Sequence, residues 1–323
     1  MLQNVQGASW RLRRLASGRA AGALVVLLIL IPLFSTVTEH FLTYQNVINI
    51  GLQSSILLIV ALPVTLVILT EGLDLSPGSV VSLCSVVLAL LLVSGYSLGV
   101  ASVLAICVGF LFGCANGFLI AGLGMPPFVV TLGVSGIAYG IALVVTGGNA
   151  VSNLGEELSA FSSFEIAGVP LLIYVALGSY LAVHTVLYWT PFGRYVFAVG
   201  GNSHALRLAG VNVFRVHVAV YAVLGAACGL AALCLIGRTN AAHPSIALGT
   251  EFDAIAAVVL GGTTFERGNG SLPGTVLGVI VIGVLRNGLN LLAIDTSVQV
   301  IAIGALVLIV QIFDRFFRNE GEQ

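Results

Sequence analysis

Ten apolar runs, each near the length of a membrane-crossing helix, constrain this chain more than any other feature. They lie at about 20–38, 46–69, 79–95, 98–121, 127–146, 168–189, 214–236, 246–262, 272–292 and 296–313. A crossing needs about 20 apolar residues, roughly 30 Å at 1.5 Å each. Only 8% of the 323 residues are charged, where a soluble domain carries about a quarter. The chain therefore reads as an all-α, polytopic membrane bundle of about 10 spans. The third and eighth runs are short and flanked by Gly and Ser, so they read as broken or tilted. The first follows a basic segment, as a signal peptide does. "STVTEHFL" offers no small-x-small cleavage site, so the run reads as a retained helix.

Arginine placement sets the orientation. With a cytoplasmic N-terminus carrying Arg11, Arg13, Arg14 and Arg19, ten spans return Arg315 and Arg318 to the same side. The 190–215 connection, with Arg194, Arg207 and Arg215, falls inside, as does Arg267. The 147–167 connection falls outside and holds Glu156, Glu157 and Glu165 with no basic residue. Arg238, placed outside, and Arg286, placed within the ninth run, are the exceptions. This divides the chain into a basic cytoplasmic N-terminus (1–19), a membrane domain (20–313) and a cytoplasmic C-terminal tail (314–323).

All twelve basic residues are arginine. A phosphate-binding P-loop needs a lysine to reach the β- and γ-phosphates, so the chain cannot build that ATP site, and Schiff-base chemistry is excluded as well. A net charge of −1 says nothing about nucleic acid. Cys84, Cys107, Cys114, Cys228 and Cys234 sit in apolar runs and read as small buried hydrophobes. The five histidines are scattered, so no metal or other cofactor is expected. Thirty-nine glycines suit helices that approach closely in lipid, where no hydrophobic effect drives association.

Ionisable groups at membrane depth are costly, so each polar break needs a reason. "LTEGLDLSPGS" (69–79) places Glu71 and Asp74 between two runs, with Asp74 or Ser76 either capping the next helix or lining a cavity. Asn116, near the end of the fourth run, either bonds a neighbouring helix or lines a pathway. Glu251 and Asp253 open the eighth run, where acids favour a positive helix N-terminus. In "LRNGLNLL" (285–292), Asn287 and Asn290 share one helix face. They either face a cavity and bond a hydroxylated solute or tie two helices together. These four, Asp74, Asn116, Asn287 and Asn290, are the candidate translocation-path residues.

"GRYVFAVGGNSHALRLAGVNVFRV" (193–216) is a basic interlude between greasy segments. Thr190-Pro191 ends the sixth run, and Gly200-Gly201 permits a sharp turn. Asn202 or Ser203 suits an N-cap and Gly210 a C-terminal stop, leaving "HALRLA" as one or two helical turns. Helices shorter than about 12 residues are marginal in water, so this one needs a surface to dock on or is an ordinary positive-inside loop.

"GLDLSPGS", "ANGFLIAGLGMPPFVVTLG", "TPFGRYVFAVGGNSHALRLAGVNV", "FDAIAAVVLGGTTFERGNGSLPGTVLG" and "RNGLNLL" occur in one order. Over about residues 20–313 the chain resembles the permease subunits of ribose-type ABC importers, the group that includes xylose, arabinose and galactose permeases. The resemblance implies a non-catalytic subunit in the bacterial inner membrane that moves a ribose-like monosaccharide. It implies a separate ATP-binding subunit, a periplasmic or surface-tethered sugar-binding protein, and a second permease, identical or different. It makes the 190–215 connection the docking element for the ATPase, with Gly193, Arg194, Gly201, Asn202, Ala205, Leu206, Arg207, Leu208 and Gly210 as its residues. Glu71, where glycine is usual, and Arg286, where a small or amide residue is usual, depart from the pattern. The alternatives are an ion-coupled secondary transporter using Glu71, Asp74, Glu251 and Asp253 as proton carriers, or an ABC permease for a nucleoside or branched-chain amino acid.

Overall fold

A computed structural model describes residues 21–265 and 268–319. The basic N-terminal segment and Arg267 lie outside the described residues, as do the side chains of Arg315 and Arg318. Twelve helices follow one another among the described residues. They are α1 (Ala21–Val37), α2 (Tyr44–Leu69), α3 (Pro77–Val93), α4 (Leu98–Leu123), α5 (Pro127–Thr146), α6 (Glu156–Ser163), α7 (Leu171–Trp189), α8 (Pro191–Leu208), α9 (Val213–Thr239), α10 (Thr250–Leu260), α11 (Leu272–Leu291) and α12 (Thr296–Asn319). Each of the ten apolar runs falls on one of these helices. Six of them, α2, α4, α5, α7, α9 and α11, are long and apolar enough to cross a membrane; α1, α3 and the apolar part of α12 are shorter.

Close backbone approach holds the centre together. Gly109, Gly113 and Gly117 recur every fourth residue on α4 and meet α9 at Gly225, Tyr221 and Val218. A β-carbon at any of the three would collide with α9 backbone. In lipid, where apolar side chains gain nothing by leaving the solvent, such contact is a main source of association. The same device joins α10 to α11, where Gly261 meets Gly274 and Gly278 meets Ala257. The second half of α2 is buried from Ile59 to Thr70. The cysteines divide: Cys84, Cys228 and Cys234 are buried, but Cys114 is only partly covered and Cys107 is exposed, because α4 presents one side outward.

The connections mark two ends of the bundle. Two-residue strand β1 (Val151–Ser152) pairs antiparallel with β4 (Ala241–Ala242), joining the 147–167 connection to the C-terminal end of α9. A second small pair, β2 (Glu165–Ile166) with β3 (Val169–Pro170), completes that end. The Glu157 carboxylate takes the Leu98 N–H at 2.7 Å, and the Tyr44 hydroxyl donates to the Gly168 carbonyl at 2.7 Å. α9 starts at the other end, about 40 Å away for its 27 residues. The acidic 147–167 connection and the arginine-bearing 190–215 segment thus sit at opposite ends.

Candidate functional site

Two sites grow out of this framework. The first is the segment after α7. Thr190 is extended and Pro191 starts α8 at the position where a missing N–H costs nothing. Residues 191–201 are helical and partly buried, so the segment is not the loop expected up to Gly201. The break falls at Asn202, which is extended (φ −164°, ψ 92°), rather than at the glycine pair. Its side-chain oxygen accepts the Ala205 N–H at 2.9 Å, the N-cap of a second, short helix. That helix ends with Gly210 at φ +82°, Gly210 N–H on the Arg207 carbonyl (3.0 Å) and Val211 N–H on the Leu206 carbonyl (3.2 Å). These two bonds are the Schellman pattern, which favours glycine at the left-handed position.

The short helix is held by its caps rather than by packing. Gly201, Asn202, Ala205, Arg207, Leu208 and Gly210 are exposed, and Leu206 is half-buried. Leu208 is 79% exposed. Gly193 and Arg194 sit on the preceding helix: Gly193 is buried with no room for a β-carbon against the Leu187 carbonyl, and Arg194 is exposed. Beneath the short helix lies a cavity of about 600 Å³, lined by Glu71 and Thr70 at the end of α2, Gly124 after α4, Arg207, and Asn212 and His217 beside and on α9. Residues at the ends of α2, α4, α8 and α9 thus converge beside Arg207. Glu71 follows the C-terminus of α2 at φ +59°, with its N–H on Ile68 and Gly72 N–H on Val67. That left-handed position is one that glycine takes without strain and that Glu71 occupies here.

The second site is a buried polar core where two helices are broken. After α2 the chain turns back into the bundle through 70–76. Asp74 Oδ1 accepts the Ser76 N–H (2.8 Å) and Ser76 Oγ–H (2.6 Å), while Asn116 Nδ2 donates to Ser76 Oγ (3.0 Å) and Asp74 Oδ2 (3.3 Å). Asp74 and Asn116 are therefore brought together, and Asp74 shapes the turn into α3. Ser76 itself makes no capping bond. The other break is 243–249, which leads back inward to α10. Ala247 N–H donates to Ser82 Oγ at 3.1 Å, and Glu251, which accepts the Gly249 N–H at 3.2 Å, packs on Gly78 at the start of α3. The N-termini of two interrupted helices meet there, with one carboxylate at the positive ends of both.

Ser76, Ser79, Ser82 and Ser85 recur every third residue and are all buried, with Ser79 bonded to Ser135 of α5 at 2.8 Å. The sequence reading missed these serines, although their three-residue spacing, which turns about 60° around the helix at each step, is visible in "SPGSVVSLCS". It also missed Asn46. Asn287 and Asn46 exchange two amide bonds of 2.8 and 2.9 Å between α11 and α2. Asn290 accepts from Gln299 of α12 at 2.7 Å. The two amides thus tie α11 to different neighbours, and neither pairs with Asp74 or Asn116. Among the described residues no group of three or more His, Cys, Asp or Glu is placed to hold a metal ion.

A family model described as branched-chain amino acid transport system / permease component matches residues 46–311. The ribose import permease protein of Escherichia coli (strain K12) is 36% identical over 296 residues, covering 90% of this chain and 92% of that protein. That of Bacillus subtilis (strain 168) is 37% identical over 296 residues, covering 91% and 92%. The D-allose transport system permease protein of Escherichia coli (strain K12) is 32% identical over 297 residues, covering 91% of each. No solved structure matches the chain.

Proposed function

Because the chain belongs to the branched-chain amino acid transport system / permease component family, we propose that it is the membrane subunit of an ATP-driven importer for a ribose-like monosaccharide. Its ribose and allose relatives support the solute class. The chain does no covalent chemistry on the solute. Without lysine it has no P-loop, so ATP is hydrolysed by a partner. A sugar-binding protein delivers the solute on the outer face, and a second permease completes the path.

The observation that carries the coupling role is the short helix at 203–208, capped at both ends and, among the described residues, packed only through half-buried Leu206 while Arg207 and Leu208 stay exposed. A helix of this length does not persist on its own propensity. Its two caps preorganise it, and a cleft in the ATPase covers Leu208 and the Arg207 face. Closure of the ATPase pair then pushes on α8 and α9 and changes the cavity beneath. In this reading ten crossings bring both termini to the ATPase side. α10 serves as a crossing only together with the inward turn at 243–249.

The test is reconstitution in liposomes. Chain, ATPase subunit and sugar-binding protein together accumulate labelled ribose or a related monosaccharide when ATP is supplied, and the chain alone does not. Accumulation by the chain alone, driven by a proton gradient, would instead establish a secondary transporter.

A further inference from the structure

Arg286 and Asp253, among the described residues, form an ion pair that the coupling reading leaves without a task. Arg286 Nη2 donates to Asp253 Oδ2 at 2.6 Å, joining α11 to the first turn of α10. Arg286 lies about 21 Å along α11 from Leu272, and Asp253 about 12 Å in from the Gly261 end of α10. Both lie within apolar helices, Arg286 about 8 Å short of the Leu291 end of α11. Neither is sealed inside the chain: their side chains are 31% and 16% exposed, and the neighbouring Phe252 is 64% exposed. One turn on from Arg286, Asn290 is also exposed.

An accessible ion pair at this depth is unfavourable against hydrocarbon, since intramembrane charges face a bundle interior or a water-filled cavity. A guanidinium near a helix end can escape by reaching for the surface. Arg286 instead gives a donor to the Asp253 carboxylate of α10. The pair has no net charge, so it does not repel a neutral solute. A guanidinium carries five donors and a carboxylate about four acceptor positions, so one mutual bond leaves both groups with capacity for hydroxyls.

The geometry points to Asp253 and Arg286 as a wall of the aqueous solute path, where they bind two adjacent hydroxyls of a neutral polyol in passage. This rests on the import reading and deepens it. One hydroxyl donates to the carboxylate and its neighbour accepts from the guanidinium. Phe252, next in sequence to Asp253, and Asn290, one turn from Arg286, are exposed neighbours along their helices.

The first test is accessibility in the assembled complex in liposomes. A Phe252→Cys chain is exposed to a positively charged, membrane-impermeant methanethiosulfonate, and the adduct is mapped by mass spectrometry. Modification of the peptide carrying the substitution supports a water-filled path. Modification only by a small uncharged maleimide, or none, overturns the path assignment. The second test separates solute contact from structure. In Arg286→Met and in Asp253→Asn/Arg286→Gln, ribose uptake falls about tenfold, the loss expected for one charge-assisted hydrogen bond, while ATP hydrolysis stimulated by the binding protein stays within about twofold. Unchanged uptake, or uptake and hydrolysis falling together, overturns the assignment. ATP-driven uptake by the unsubstituted complex, measured alongside, shows separately whether the import reading stands.

Discussion

Single side chains in this bundle matter most where they leave a partner stranded. Asn46 and Asn287 satisfy each other across α2 and α11. Asn287→Leu leaves the Asn46 amide buried without its partner and lowers thermal stability in detergent by about 1–2 kcal/mol. Asn46→Leu/Asn287→Leu recovers part of that loss, because neither amide is left facing an apolar side chain, but the Phe41 carbonyl loses the Asn46 N–H that it accepts at 2.8 Å; a double-mutant cycle on melting temperature reads the coupling. Asn202 has another role. Asn202→Ala removes the N-cap from the exposed helix, which costs that helix about 1 kcal/mol. The bundle has little at stake there, so insertion and melting stay close to those of the parent. Uptake coupled to the ATPase falls. Unaltered uptake would mean that the cap has no part in coupling.

Among elements, close helix contact rather than hydrophobic burial decides what tolerates change. Gly113 faces the Tyr221 backbone of α9, whereas a β-carbon on Gly133 of α5 would have nothing within 4 Å. Gly113→Ala therefore forces α4 and α9 apart, with a cost of about 1–3 kcal/mol or a failure to accumulate in the membrane. Gly133→Ala is neutral and gains slightly in helix propensity. Each variant adds one methyl group to the middle of a helix, so expression and melting compare the packing alone. The apolar runs already marked α2, α4, α5, α7 and α9 within a few residues. They marked the two interruptions, at 70–76 and before α10, only as weak or broken segments. Nothing local told that Asp74 would meet Asn116, or that Glu251 would rest on Gly78. Those are contacts between segments far apart in the chain.

For the whole molecule, the separation of the two ends is the property on which the proposed coupling rests. The exposed arginines Arg194, Arg207 and Arg215 cluster toward the end that carries the short helix and the cavity beneath it. Arg207→Glu reverses charge at the surface proposed to meet the ATPase and leaves the bundle's packing alone. ATP hydrolysis by the assembled complex and sugar uptake fall together by about tenfold or more, at unchanged membrane content. Thiol labelling of an Arg207→Cys chain from the cytoplasmic side of vesicles checks the orientation independently. Labelling from the outer side only would reverse the assignment of ends.

Hydropathy length and glycine content determined that this chain is a membrane-embedded helical bundle. The absence of lysine determined that the chain builds no P-loop of its own. Asn202 and Gly210 determined where the short helix begins and ends. All of these are local properties, set by solvent preference, side-chain chemistry or backbone φ within a few residues. Tertiary structure alone decided which polar residues serve one another. It sent Asn287 to Asn46 and Asn290 to Gln299, joined Asp74 to Asn116, and set Arg286 on Asp253. The spacing of two residues along a helix fixes their relative direction but not what stands opposite, and at membrane depth the group opposite determines whether a polar side chain is a brace or a contact for solute.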